Sequence, residues 1–143
     1  MRVELSRFRI RPDKSARADE WLKMLNDRMA EVLPMLDREE MKIEVIFREM
    51  IDGEKYLYWF SVQGDEGKSA NSDPDYEVGH KHLEFGEECI DHEYARRDAQ
   101  PQVIMVPREV ARSMQWENPP ASAVEFQRRE IIIRRNLPES SRE

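Results

Sequence analysis

Residues Met41 to Gln63 constrain the fold more than any other stretch, because two strand-like runs meet at Asp52-Gly53, a dipeptide suited to a two-residue type I′ hairpin turn. Such a turn sets the register. Pairing Ile51 with Glu54 puts Phe47 opposite Tyr58, Val45 opposite Phe60 and Ile43 opposite Val62, so one face of the ribbon is wholly apolar. The other face is mixed, with Arg48 opposite Leu57, Ile46 opposite Trp59 and Glu44 opposite Ser61. A solvated sheet face is normally polar, so apolar groups on both faces mean that both need cover.

The rest of the chain supplies the partners. Arg2 to Ile10 reads as a first strand, and Pro12-Asp13-Lys14-Ser15 interrupts it, with Asp13 or Ser15 as a helix cap. Ala18, Trp21, Leu22, Leu25, Met29, Val32, Leu33 and Leu36 then recur at helical spacing, which predicts a long amphipathic helix with a kink or early stop at Pro34. After the hairpin, Asp73-Pro74 signals a second helix running to about Tyr94. Tyr76, Leu83, Ile90 and Tyr94 form its expected sheet-facing stripe, bordered by Gly79 and Gly86 on one side and by His80 and Glu87 on the other, while Val78, Phe85 and Cys89 make a smaller patch opposite. Val103 to Val106 reads as a last strand closed by Pro107, and Arg108 to Met114 as one or two helical turns.

The 143 residues suit one domain, expected over residues 1–115. Residues 116–143 read as a C-terminal extension, either docked or partly disordered, and residues 108–143 carry a net charge of +1 where residues 1–107 carry −8. The order strand, helix, strand, strand, helix, strand predicts an α+β fold on the ferredoxin-like βαββαβ plan, an antiparallel sheet with both helices on one face. That plan leaves the opposite face open, and a twofold-related copy of the chain would cover it, so a homodimer is expected.

Composition narrows the chemistry. A formal charge of −7 opposes nonspecific binding to nucleic acid or to an anionic membrane, which depends on Lys and Arg. The single cysteine, Cys89, excludes an internal disulfide and a Cys-x-x-Cys redox pair. Without a signal-peptide core or a 20-residue apolar run, the expected location is the cytoplasm. No glycine-rich dinucleotide fingerprint, phosphate loop or nucleophile elbow occurs, and no cofactor is expected.

Several segments resemble a known family in the same order: Val3-Glu4-Leu5-Ser6-Arg7-Phe8, Ile46-Phe47-Arg48-Glu49, Asp52-Gly53 with Tyr56-Leu57-Tyr58-Trp59, and His80-Lys81-His82-Leu83-Glu84 with Glu88-Cys89-Ile90-Asp91. They are similar to an uncharacterised prokaryotic family, domain of unknown function 6176 (DUF6176), over roughly residues 1–115. The resemblance implies a dimeric α/β-barrel fold, shared with small antibiotic-biosynthesis-type monooxygenases and related binding proteins, and no assigned reaction. Pro34 and the extension after Trp116 depart from it.

Four residues are candidates for a binding site: His80, Glu87, Glu44 and Trp59. His80 and Glu87 lie two helical turns apart beside the expected stripe, where a histidine and a carboxylate could point into one pocket. A boundary histidine and a surface glutamate satisfied by their neighbours are the simpler alternative. Glu44 sits among apolar neighbours, where desolvation would suit a general base; pairing with Arg48 or with a second subunit is the competing role. Tyr56, Tyr58 and Trp59 could line an aromatic pocket or simply fill the core. His82 and His92 turn away from the stripe and read as surface residues, and Cys89 as a small packing residue. His80, Glu84 and Asp91, with Glu87 and Glu88, crowd one helix face without matching a metal motif, so no metal site is assigned.

The expected function is binding of a small, partly apolar molecule in a pocket between helices and sheet, with cofactor-independent catalysis as one form of it. The alternative is a noncatalytic dimeric structural or interaction module.

Overall fold

The computed structural model describes residues 1–70 and 73–117. The chain divides into two compact units, residues 1–99 and 100–143. The fold is α+β, with a four-stranded antiparallel sheet and four helices among the described residues.

In the first unit, β1 (Arg2–Arg9), β2 (Met41–Ile51), β3 (Glu54–Gln63) and β4 (Arg97–Ala99) lie in the order β2-β3-β1-β4. The β2–β3 register is the one the turn predicts, from Ile51 opposite Glu54 to Ile43 opposite Val62, with a single shift between Met41 and Ile43. Asp52 and Gly53 both take positive φ, 51° and 79°, as a type I′ turn demands. Register thus follows from local backbone chemistry.

The long first helix is two helices, α1 (Ser15–Asp27) and α2 (Met29–Arg38). The interruption falls at Arg28, with φ −104° and ψ 26°, and not at Pro34, which sits inside α2. Breaking there shifts the helical phase. Val32 and Met35 turn inward, while Met29 and Leu33, which a continuous helix would have buried, are exposed. Neither Asp13 nor Ser15 caps α1; Pro12–Lys14 forms a 3-10 turn and the helix opens without a side-chain cap.

The second long helix, α3, spans Glu77–Cys89 and is shorter at both ends than Asp73-Pro74 and Tyr94 imply. Asp73 Oδ1 accepts from the Asp75 amide at 3.0 Å, forming a turn that precedes the helix. At the other end Ile90 is extended and bridges Ile10, and the Asp91 amide bonds the Arg9 carbonyl at 2.9 Å. Pairing with β1 therefore stops the helix.

The strand expected at Val103 to Val106 does not form; the fourth strand is Arg97–Ala99, paired with Leu5 to Arg7. Polar contacts hold it, including Ser6 Oγ donating to Asp98 at 2.7 Å. Apolar content misleads here because β4 is exposed along its whole length. In the second unit, α4 (Arg108–Ser113) carries a buried Ala111. The expectation of a docked or partly disordered tail falls largely on residues 118–143, outside the described residues.

The core explains which sheet face the helices take. One buried cluster joins Ile10, Ala18, Trp21, Leu57, Phe85 and Cys89, with Ile46 and Trp59 packed against it. A second joins Val32, Met35, Ala70 and Val78. The helices therefore cover the mixed face, whose Leu57 is 1% exposed. Neither cluster includes Val45, Phe47, Tyr58 or Phe60 from the wholly apolar face, and Phe47 is 54% exposed. Leu57 is thus buried within the first unit, with Ile46 and Trp59 partly buried against its cluster, while on the opposite face Val62 is buried and Phe47 and Ile43 are exposed.

Helix α3 is also turned over relative to its expected orientation. Val78, Phe85 and Cys89 face the core, while Leu83 of the expected stripe is largely exposed. Glu88 fastens this orientation by accepting from Lys14 at 3.0 Å and from Arg17 at 2.9 Å.

Candidate functional site

Strand pairing puts polar and aromatic side chains in rows on the helix-covered face: Glu44, Ser61 and Glu4 in one, Ile46, Trp59 and Ser6 in the next, and Arg48, Leu57 and Phe8 beyond. Between these rows and helices α1 and α3 lies a cleft of about 380 Å³, lined among others by Phe8, Trp21, Glu44, Trp59, His82 and Glu87. That size suits a small ligand. A wider hollow of about 870 Å³ lies in the second unit, against Arg108, Arg112 and Trp116. The cleft lies wholly within the first unit.

Trp59 organises the cleft. Its Nε1–H donates to Glu44 Oε1, its ring lies edge-on to His82 with centroids 5.3 Å apart, and it contacts Trp21 at 5.8 Å and Phe8 at 6.4 Å. Trp21 Nε1–H donates in turn to His82 Nδ1 at 3.1 Å. An indole N–H can only donate, so Nδ1 carries the lone pair and the proton of the neutral ring sits on Nε2. Burial pushes the His82 pKa down from 6.5 to about 4, which keeps the ring neutral at physiological pH.

Glu44 is shifted the other way. Its pKa is raised, first by burial and further by the charge of Glu39, while the Trp59 hydrogen bond pulls it back. Its hydrogen-bond partner is Trp59, and Arg48 pairs instead with Asp19. The cleft thus combines a desolvated carboxyl group, able to accept a proton, with a neutral imidazole able to donate a hydrogen bond.

The mouth is charged. Glu87 Oε1 lies 3.6 Å from His92 Nε2, and Arg96 grips Asp98 through Nε and Nη2 at 2.6 and 3.0 Å. Among the described residues no group of three His, Cys, Asp or Glu side chains is placed to hold a metal ion. Glu88 and Asp91, members of the acidic helix face, are engaged by Lys14, Arg17 and Arg9. Cys89 is fully buried, and burial raises its thiol pKa.

The structure brings Glu44, Trp59 and Glu87 to one cleft and leaves His80 outside its lining, exposed, with Nε2 3.1 Å from the Asp73 carbonyl oxygen. His82 and His92, which the expected stripe put on the surface, both line the cleft, although His92 remains half exposed. The missed signal is the spacing of Val78, His82, Phe85 and Cys89, which places His82 on the patch that proves to be the buried one. Trp21 was legible as core, but its hydrogen bond to His82 depends on the packing of α1 against α3.

No helix among the described residues is long and apolar enough to cross a membrane. Neither a curated protein nor a solved structure matches the chain. One family matches residues 1–112, spanning the whole sheet, the cleft and all of α4 but Ser113, and the chain therefore belongs to DUF6176, a family of unknown function.

Proposed function

We propose that the chain binds a small, partly apolar molecule in the cleft between helices and sheet. The carrying observation is the joint contact of Trp59 with Glu44 and His82, which puts an apolar platform between a hydrogen-bond acceptor and a donor. Catalysis without a cofactor would use the same pair, with Glu44 taking a proton and His82 Nε2–H holding a developing negative charge. The strand order β2-β3-β1-β4 supports a ferredoxin-like plan. The exposed Phe47 and Ile43 on the sheet face away from the helices support pairing of two subunits into an α/β barrel.

That same face favours the second reading, a noncatalytic dimeric module, in which the polar groups of the cleft only satisfy one another. A thermal-shift screen against a panel of small metabolites separates the two. Compounds that stabilise the wild type and lose their effect in Trp59→Leu, but keep it in His80→Ala, support the cleft. A panel without any stabilising compound, or shifts indifferent to Trp59, would favour the module.

A further inference from the structure

Glu44 is a half-buried carboxyl group without a cationic partner among the described residues. Among the described residues no Lys or Arg forms an ion pair with it; its hydrogen-bond donor is the neutral indole of Trp59, which occupies Oε1. The guanidinium that lines the cleft, Arg96, is engaged by Asp98, and His92 lies beside Glu87. His82 adds no positive charge, because its Nδ1 accepts from Trp21. A half-buried carboxylate left in this state is stabilised by gaining a proton or a counter-ion.

The surrounding rings favour the counter-ion. Trp59 and Phe8 line the cleft with aromatic rings, with Trp21 buried behind Trp59, and the negative face of an aromatic ring attracts a cation. An anionic ligand would meet Glu44 with like charge, and a neutral one would leave it uncompensated. A ligand with an ammonium group and an apolar body answers both features.

We propose that the cleft recognises an organic ammonium, its nitrogen donating to Glu44 and its apolar part lying against Trp59 and Phe8. This rests on the cleft being a ligand site and specifies the class of ligand. Glu44 Oε2, which has no hydrogen-bond partner among the described residues, gives a primary or secondary ammonium a charge-assisted hydrogen bond that a quaternary one lacks.

The test uses three probes of nearly equal shape, 2-phenylethylammonium, 2-phenylethanol and 3-phenylpropanoate, titrated into the full chain at neutral pH and low salt. Affinity and the indole N–H resonances of Trp59 and Trp21 are followed by NMR. The ammonium is expected to bind about tenfold tighter than the alcohol and to shift the Trp59 resonance, and Glu44→Gln is expected to erase the preference. The wild-type comparison stands by itself if Glu44→Gln folds poorly. An alcohol or carboxylate that binds as well as the ammonium would overturn the charge assignment while leaving the cleft a ligand site. If none of the probes perturbs either indole at millimolar concentration, both readings fall.

Discussion

The indole N–H of Trp21 donates to His82 Nδ1 across 3.1 Å, tying α1 to α3 at the wall of the cleft. Burial of that imidazole keeps it neutral and gives the fold a pH dependence. The folded pKa, about 4, lies below the ordinary 6.5, so between these values the unfolded chain binds the proton more readily. The contribution of His82 to stability is complete above pH 6.5 and is lost as the pH falls toward 4, a loss of roughly 3 kcal/mol at most. Urea midpoints at neutral and mildly acidic pH should show the decline, and His82→Gln should flatten it. A slope that survives the substitution would place its source elsewhere.

Glu44 works in the opposite sense. Its folded pKa is raised by burial, so its contribution is favourable at low pH and is lost as the pH rises through that raised value. Glu44→Gln keeps an acceptor for the Trp59 indole and removes the charge. At neutral pH the variant is expected to be slightly more stable than wild type, by up to about 1 kcal/mol, as when a residue kept for function costs stability. Thermal or chemical denaturation would settle it; a marked loss of stability would mean that the charge has a structural partner.

Gly67 is predicted to be intolerant of any side chain. A Cβ there would lie 1.9 Å from the Glu39 carbonyl oxygen and 2.4 Å from its carbon, both backbone atoms. Glu39 in turn anchors the loop, since its Oε1 accepts from the Ala70 amide at 2.8 Å. Gly67→Ala should cost about 1–3 kcal/mol in urea denaturation. At Gly86 a Cβ would meet Trp21 at 3.6 Å, an ordinary contact, so Gly86→Ala should cost less.

The proposed dimer predicts a specific dissociating substitution. Phe47 is 54% exposed on the sheet face away from the helices, so replacing it by Glu removes little from the subunit's own core. Sedimentation at micromolar concentration should find the wild type as a dimer and Phe47→Glu as a folded monomer. A wild type that sediments as a monomer would refute the pairing.

Legibility followed the range of the interactions involved. The hairpin register was readable because it depends on two residues, Asp52 and Gly53, whose positive φ values impose a tight turn. The end of α3 was not, because Ile90 leaves the helix to bridge Ile10, a residue 80 positions earlier. The fourth strand was misplaced for the same reason. Val103 to Val106 has the apolar composition of a strand, whereas Arg97–Ala99 gains its place through pairing with β1 and the Ser6–Asp98 bond.

The candidate site divides along the same line. Glu44 and Trp59 were legible because the hairpin register alone puts them on one face. His82 was not, since α3 carries two apolar patches and helical spacing cannot say which is buried.

By itself, the sequence determined the turn, the strand register and the presence of apolar groups on both faces of the ribbon, all set by local backbone geometry and the two-residue period of a strand. Only the tertiary structure decided which face the helices cover and which histidine enters the cleft. Those choices rest on how well Trp21, Phe85 and Leu57 fill one shared volume, and close packing is a property of side chains meeting from distant parts of the chain.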